Sequence, residues 1–223
     1  MRAIVFDLDG TLVDTVEDLA TALNETLIEL GLAPHPVDKV RRMVGGGLPK
    51  LLDRALSVDN ARVSAEERDV ALARLLALYA ANPATRSQLY PGARETLAAL
   101  QESGIAIGLC TNKPEPITRD LLDKLGIAGL FGCIQGGDAG LPRKPDPAGL
   151  VRVVKALGAK PHSTILVGDS VIDLETARAT GLAGVVLVSY GYSATPVTEL
   201  GADAVINHLH ELVPALALLV QAQ

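Results

Sequence analysis

From Tyr90 onward the chain alternates short, unbroken apolar runs with segments of helical spacing, and this alternation leaves few folds open. The runs are Ile105–Cys110, a short one around Cys133-Ile134, Thr164–Val167 and Gly184–Val188, with Ala204-Val205-Ile206 as an edge strand. Helices are predicted between them over Ala93–Glu102, Ile117–Leu125, Pro147–Leu157 and Val171–Ala179. Strands that lack polar alternation are covered on both faces, so the pattern predicts a parallel sheet between two helical layers. One more apolar, β-forming run, Ala3–Phe6, opens the chain far from the others.

Residues 15 to 82 carry helical signals and no strand signal. Thr15-Val16-Glu17-Asp18 reads as a capping box with Asp in the acidic role, followed by Leu19, Leu23, Leu27 and Leu30 at helical spacing up to Gly31. Pro34 and Pro36 break the chain, and a second helix is expected over Val37–Val44. The triplet Gly45-Gly46-Gly47 interrupts, then a helix follows over Leu48–Leu56. Ser64-Ala65-Glu66-Glu67 is a second capping box, opening a long amphipathic helix that Asn82-Pro83 ends. The fold class is therefore α/β, a doubly wound parallel sheet formed by residues 1–14 and 84–223, with an all-helical cap domain, residues 15–83, inserted after the first strand. Open α/β sheets bind ligands at the carboxyl ends of their strands, beside which this insertion falls. It is expected to act as a lid, hinged at Asp14–Thr15 and Asn82–Pro83.

Composition narrows the function. The chain has 223 residues, of which 48% are hydrophobic and only 3% aromatic, so Leu, Val, Ile and Ala must fill the core. A net charge of −6 argues against a general nucleic-acid binder, which needs a basic face. An anionic substrate then requires a local positive site or a metal. The apolar run ending at Asp7 is too short for a signal-peptide core, and no run is long enough to span a bilayer. Cys110 and Cys133 read as small buried hydrophobes of a reducing cytoplasm, the expected location. His35, His162, His208 and His210 show no ligand spacing and are expected on the surface, as are Arg41, Arg42 and Lys50 around the glycine triplet.

The first strand ends in two carboxylates, Asp7 and Asp9, followed by Gly10-Thr11. Burying two acids at a strand end is costly unless cations offset them. The other predicted strand ends are equally unusual. One carries Thr111-Asn112, another Gly168-Asp169-Ser170 with Asp173 a helical turn later, and the loop before the helix at Pro147 contains Arg143-Lys144-Pro145-Asp146-Pro147. Several acids, a hydroxyl and a lysine converging on one edge suit Mg²⁺ and a phosphoryl group. Each residue also has a plainer role. Asp before Gly serves turns, Thr111 can be an ordinary strand-end hydroxyl, Lys144 a solvated loop lysine and Asp173 an acid at a helix N-terminus. The glycine triplet stops a helix, yet it also leaves backbone N–H groups free to approach a substrate carboxylate.

Taken together, Asp-x-Asp-Gly-Thr, a Thr closing the second strand of the sheet, an isolated Lys and Gly-Asp-Ser-x-x-Asp resemble the haloacid dehalogenase superfamily over the whole chain. Val44–Gly47, Thr111-Asn112-Lys113-Pro114, Arg143–Pro147 and Ser189-Tyr190-Gly191-Tyr192 look most like its bacterial phosphoglycolate phosphatases. The resemblance implies Mg²⁺-dependent hydrolysis of a small phosphomonoester, 2-phosphoglycolate above all, through an aspartyl-phosphate. Asp7 is the implied nucleophile and Asp9 the general acid and base. Asp7, Asp169 and the backbone carbonyl of Asp9 are the implied metal ligands, with Asp173 orienting the metal shell. Thr111, Asn112 and Lys144 are implied to hold the phosphoryl group, and Gly45, Gly46 and Gly47 to approach the substrate. Asp9 argues against dehalogenation, whose leaving group needs no proton. A sugar-phosphate mutase, or a phosphatase for a sugar phosphate, pyrophosphate or nucleotide, is the alternative. Neither nucleic acid nor membrane is an expected partner, and the protein is expected as a monomer or homodimer.

Overall fold

The computed structural model describes residues 1–58 and 61–221. Its strands are β1 (Ala3–Phe6), β2 (Val13–Asp14), β3 (Gln88–Leu89), β4 (Ala106–Cys110), β5 (Cys133–Gln135), β6 (Thr164–Gly168), β7 (Gly184–Val188) and β8 (Ala204–Ile206). Its helices are α1 (Val16–Glu29), α2 (Val37–Arg41), α3 (Leu48–Val58), α4 (Ala65–Ala81), α5 (Ala93–Glu102), α6 (Glu115–Lys124), α7 (Ala148–Ala156), α8 (Val171–Thr180) and α9 (Leu212–Gln221).

Six strands form one sheet in the order β5-β4-β1-β6-β7-β8, every neighbouring pair parallel. The chain runs outward from β1 on one side, then returns to build the other. β1 therefore sits at the reversal of strand order, where a crevice opens beyond the carboxyl ends. Alternate residues along β1 serve different cores. Ile4 and Phe6 join Ile107, Leu109, Ile165 and Val167 against α5, α6 and α9, whereas Val5 and Leu166 pack with Leu150, Val153 and Ala177 from α7 and α8. Both layers are aliphatic, as the shortage of aromatic residues requires, and each fully buried Leu or Ile contributes about 1.5–3 kcal/mol.

Helices α1 to α4 bury a third cluster, which Ile117 of α6 joins from the sheet side. Leu19, Leu23 and Leu27 of α1 meet Leu51 and Leu52 of α3, while Ala71, Leu75 and Tyr79, four residues apart on α4, close the other side. The Ser64 capping box forms as predicted: the Glu67 N–H donates to Ser64 Oγ at 3.2 Å, and the Ser64 N–H donates to Glu67 Oε2 at 2.8 Å.

At the first helix the prediction fails. Thr15 Oγ does not cap α1 but donates to Asp9 Oδ1 at 2.7 Å. Asp18 accepts instead from the N–H groups of Arg86 and Ser87, at 3.0 and 2.8 Å. The free N–H groups of Thr15 and Val16 donate to the Tyr192 hydroxyl at 2.7 and 3.1 Å, so α1 is capped from 176 residues away. Just before α1, β2 and β3 pair antiparallel, with Val13 opposite Leu89 and Asp14 opposite Gln88, a ribbon the apolar pattern did not reveal. α2 stops at Arg41, short of Val44, and α9 was not expected.

His35 is buried rather than exposed: its N–H donates to Asn24 Oδ1 at 2.8 Å, and its ring Nδ1 lies 3.0 Å from Lys39 Nζ. Arg41 is no solvated cation either. It reaches Asp14 at 3.4 Å and lies 5.1 Å from the centre of the Tyr192 ring.

Candidate active site

Pairing with β6 carries one residue past β1, because the Asp7 N–H donates to the Val167 carbonyl at 2.9 Å. The chain then turns tightly, the Leu8 carbonyl accepting from Thr11, Leu12 and Val13 at 3.0–3.2 Å. Gly10 adopts φ +85°, and a Cβ there would stand 2.4 Å from Asp169 Oδ2. A Cβ on Gly191 would stand 2.3 Å from Asp169 Cβ. Both positions need glycine so that two loops can close on Asp169.

Asp7, Asp169 and Asp173 each offer an oxygen to one point, all three oxygens lying within 4.8 Å of one another. Lys144, from the loop before α7, stands 2.8 Å from Asp7 Oδ1 and 2.6 Å from Asp173 Oδ1. Asp7 Oδ1 is buried, and the Lys144 ammonium is the group that faces it. Asp173 is fixed by its second oxygen, which accepts from Ser170 Oγ at 2.8 Å and from the Ser170 N–H at 3.2 Å. Asp169 Oδ2 accepts the Tyr192 N–H at 2.6 Å. The helix-terminus role and the lysine partner thus coexist in Asp173.

Burial dominates the electrostatics here. Desolvation pushes the Asp7 carboxyl up to about 6, with Lys144 pulling the other way. Asp169 is raised well above the usual carboxylate range, by burial first and then by the negative charges of Asp173 and Asp7. Lys144 is desolvated too, but Asp173 and Asp7 outweigh that and hold its ammonium charged far into alkali. Three crowded carboxylates with one lysine need further positive charge, and hard oxygen donors suit a hard divalent cation.

The Asp9 carboxylate lies outside that cluster. Its Oδ1 accepts from Lys113 Nζ at 2.8 Å and from Thr15 Oγ at 2.7 Å. The Lys113 side chain is 1% exposed, lies 4.4 Å from the centre of the Tyr79 ring and touches the Tyr79 hydroxyl. The sequence offers Lys113 only as part of the Thr111–Pro114 resemblance, with no role, and Tyr79 not at all. A lysine after a strand reads as a loop residue, and Tyr79 reads as one more apolar position of α4.

Between the sheet and the helical unit opens a small cleft of about 30 Å³, lined by Asp7, Asp9, Tyr79, Thr111 and Lys113 among others. Gly45 and Gly47 line it with positive φ, but Gly46 packs its Cα against the Lys50 side chain and does not. Thr111 sits at the end of β4, its N–H on the Gln135 carbonyl at 3.0 Å. Asn112 spends its amide on backbone. Its Nδ2 donates to the carbonyls of Lys144 and Gly45 at 3.0 and 3.2 Å, and its Oδ1 accepts the Lys144 N–H at 2.8 Å. The side chain therefore ties the lysine loop to the glycine turn.

The comparisons agree with this geometry. The profile of haloacid dehalogenase-like hydrolases matches residues 1–181. The chain is 45% identical to a phosphoglycolate phosphatase of Rhodospirillum rubrum over 215 residues, spanning 95% of this chain and 89% of that one. It is 38% identical to a phosphoglycolate phosphatase of Agrobacterium fabrum, spanning 95% and 91%. A crystal structure of a predicted phosphoglycolate phosphatase from Haemophilus somnus superposes with a TM-score of 0.88 at 29% identity, covering 96% of this chain and 97% of that one. No helix among the described residues is long and apolar enough to cross a membrane. The chain belongs to the haloacid dehalogenase-like hydrolases.

Proposed function

We propose that this protein is a Mg²⁺-dependent phosphatase that hydrolyses 2-phosphoglycolate to glycolate and phosphate through an aspartyl-phosphate. One observation carries the reading: buried carboxylate oxygens of Asp7, Asp169 and Asp173 lie within 4.8 Å of one another, beside the single ammonium of Lys144. Three hard oxygen donors gathered in this way, with one lysine against three acids, fit a divalent cation. Asp7 and Asp169 would hold Mg²⁺, with the Asp9 carbonyl as a further ligand and Asp173 orienting the shell through its waters or through Lys144. The ion supplies positive charge for the phosphoryl oxygens.

The chain's own groups account for the remaining steps. Asp7 attacks phosphorus, and the ester oxygen leaves with the bonding pair. Asp9 hands that oxygen a proton, then takes one from the water that cleaves the aspartyl-phosphate, releasing phosphate and restoring Asp7. Lys144 holds charge on Asp7 and the moving group, while the Thr111 hydroxyl binds a phosphoryl oxygen. Residues 15–83 act as the lid over a core of 1–14 and 84–223, closing on the ester and excluding water. The choice of substrate rests on the phosphoglycolate phosphatases 38–45% identical to this chain. The two free thiols, Cys110 and Cys133, suit a reducing cytoplasm as its place of work.

A panel of phosphomonoesters, assayed with and without Mg²⁺, tests the reading. The largest kcat/KM is expected on 2-phosphoglycolate with Mg²⁺. Comparable efficiency on bulky sugar phosphates would overturn the substrate, and phosphate release unchanged in Asp7→Asn would overturn the chemistry.

A further inference from the structure

Resting on that phosphatase reading, we propose that Lys113 selects the substrate by binding a second anionic group, a carboxylate one short carbon link from the phosphate ester. The ammonium group is almost wholly enclosed, its side chain 1% exposed, and it opens onto the cleft. An ammonium has three N–H donors. Asp9 Oδ1 takes one at 2.8 Å, the Tyr79 hydroxyl takes another, and the third has no protein partner among the described residues. A buried donor left over in a ligand cleft is costly unless something accepts from it.

Charge points to the same group. Lys113 is the only basic residue among the described residues that line this cleft. Lys144 is committed to Asp7 and Asp173, and Arg54 donates to the carbonyls of Met43 and Val44 at 2.6 and 3.1 Å. Arg42 belongs to a neighbouring cleft beyond Gly45. The remaining walls, Leu19, Val44, Leu48 and Leu51, offer no counter-charge to an anion.

The position of the ammonium sets the length of the ligand. The Lys113 ammonium is held 2.8 Å from Asp9, the acid that meets the ester oxygen in the proposed reaction, so an anion accepting from it stands close to that oxygen and belongs to a short molecule. The Tyr79 ring, 4.4 Å from the ammonium, comes from α4, so the helical unit completes the subsite.

The test compares 2-phosphoglycolate with its carboxamide, equal in size but lacking the charge, as substrates of the full-length protein with Mg²⁺. Wild type is expected to favour the carboxylate by about 100-fold in kcat/KM, the scale of charge-assisted hydrogen bonds lost together. In Lys113→Met that preference should collapse to below about fivefold, mainly through KM, while Lys113→Arg retains most of it and Arg42→Ala all of it. Equal wild-type efficiency on the two compounds overturns the inference without needing any folded variant. So does an equal loss on both in Lys113→Met, which would make Lys113 a partner of Asp9 alone, or a collapse in Arg42→Ala. Phosphate release from neither compound by wild type defeats the phosphatase reading itself.

Discussion

The two carboxylates at the end of β1 stand two residues apart but live in different neighbourhoods. Asp7 faces Lys144, Asp169 and Asp173, all from the sheet and its loops. Asp9 is held by Lys113 from the sheet and by Thr15 at the foot of α1, with Tyr79 of α4 behind the lysine. On the proposed reading, the side that meets the phosphoryl group is built from the sheet and its loops, while the side that meets the departing alcohol is shared with the helical unit. That reading assigns bond breaking to the core and ties choice of the alcohol to how the helices sit.

Substitutions should separate the two sides. The largest effect is expected for Asp7→Asn, which removes the nucleophile while keeping the shape. Phosphate release should fall about ten-thousandfold or more, with the melting temperature little changed. Lys144→Met leaves Asp7 and Asp173 buried without their cation. Urea denaturation without metal should show a loss of about 3–5 kcal/mol, part of it recovered on adding Mg²⁺.

The raised Asp7 carboxyl gives a pH signature confined to the core side. With its folded value near 6 against 3.8 in the open chain, this group favours the metal-free fold below about pH 4, and that contribution is lost as pH rises through 6. Mg²⁺ competes with the same proton, so calorimetric affinity should weaken about tenfold per pH unit below 6. The rise in melting temperature on adding Mg²⁺ should be larger at pH 7 than at pH 5. Tyr192→Phe is the mildest test. It strands the Thr15 N–H, leaves the Val16 N–H and Asp14 Oδ1 only their 3.3 Å bond to each other, and should cost about 1–3 kcal/mol on unfolding, raising KM more than it lowers kcat.

How much of this was legible in the sequence depends on how far each residue's partner lies along the chain. Asp7 and Asp169 were visible because unbroken apolar strands stop abruptly at an acid, and Asp173 because it follows at helical spacing. The Ser64 capping box was read correctly because both its partners are local. The same signature misled at Thr15 and Asp18, whose partners are Asp9, Arg86 and Ser87. β2 and β3, two residues each, are too short to show a period, and α9 is apolar at so many positions that its core-facing Leu212, Ala215, Leu216 and Leu219 do not stand out. Lys113 was named only within a motif and given no role, because its burial comes from Tyr79 and the α4 packing, contacts no local pattern encodes.

The β2–β3 ribbon has a consequence for variation in this architecture. Its two strands place the outgoing and returning chain side by side, with Val13 against Leu89 and Asp14 against Gln88. Whatever lies between them begins and finishes at one doorway, so its length and shape can be exchanged without dragging Asp7 out of register. Helices grafted at that threshold would inherit a working phosphoryl-transfer floor and need supply only the residue that greets the alcohol.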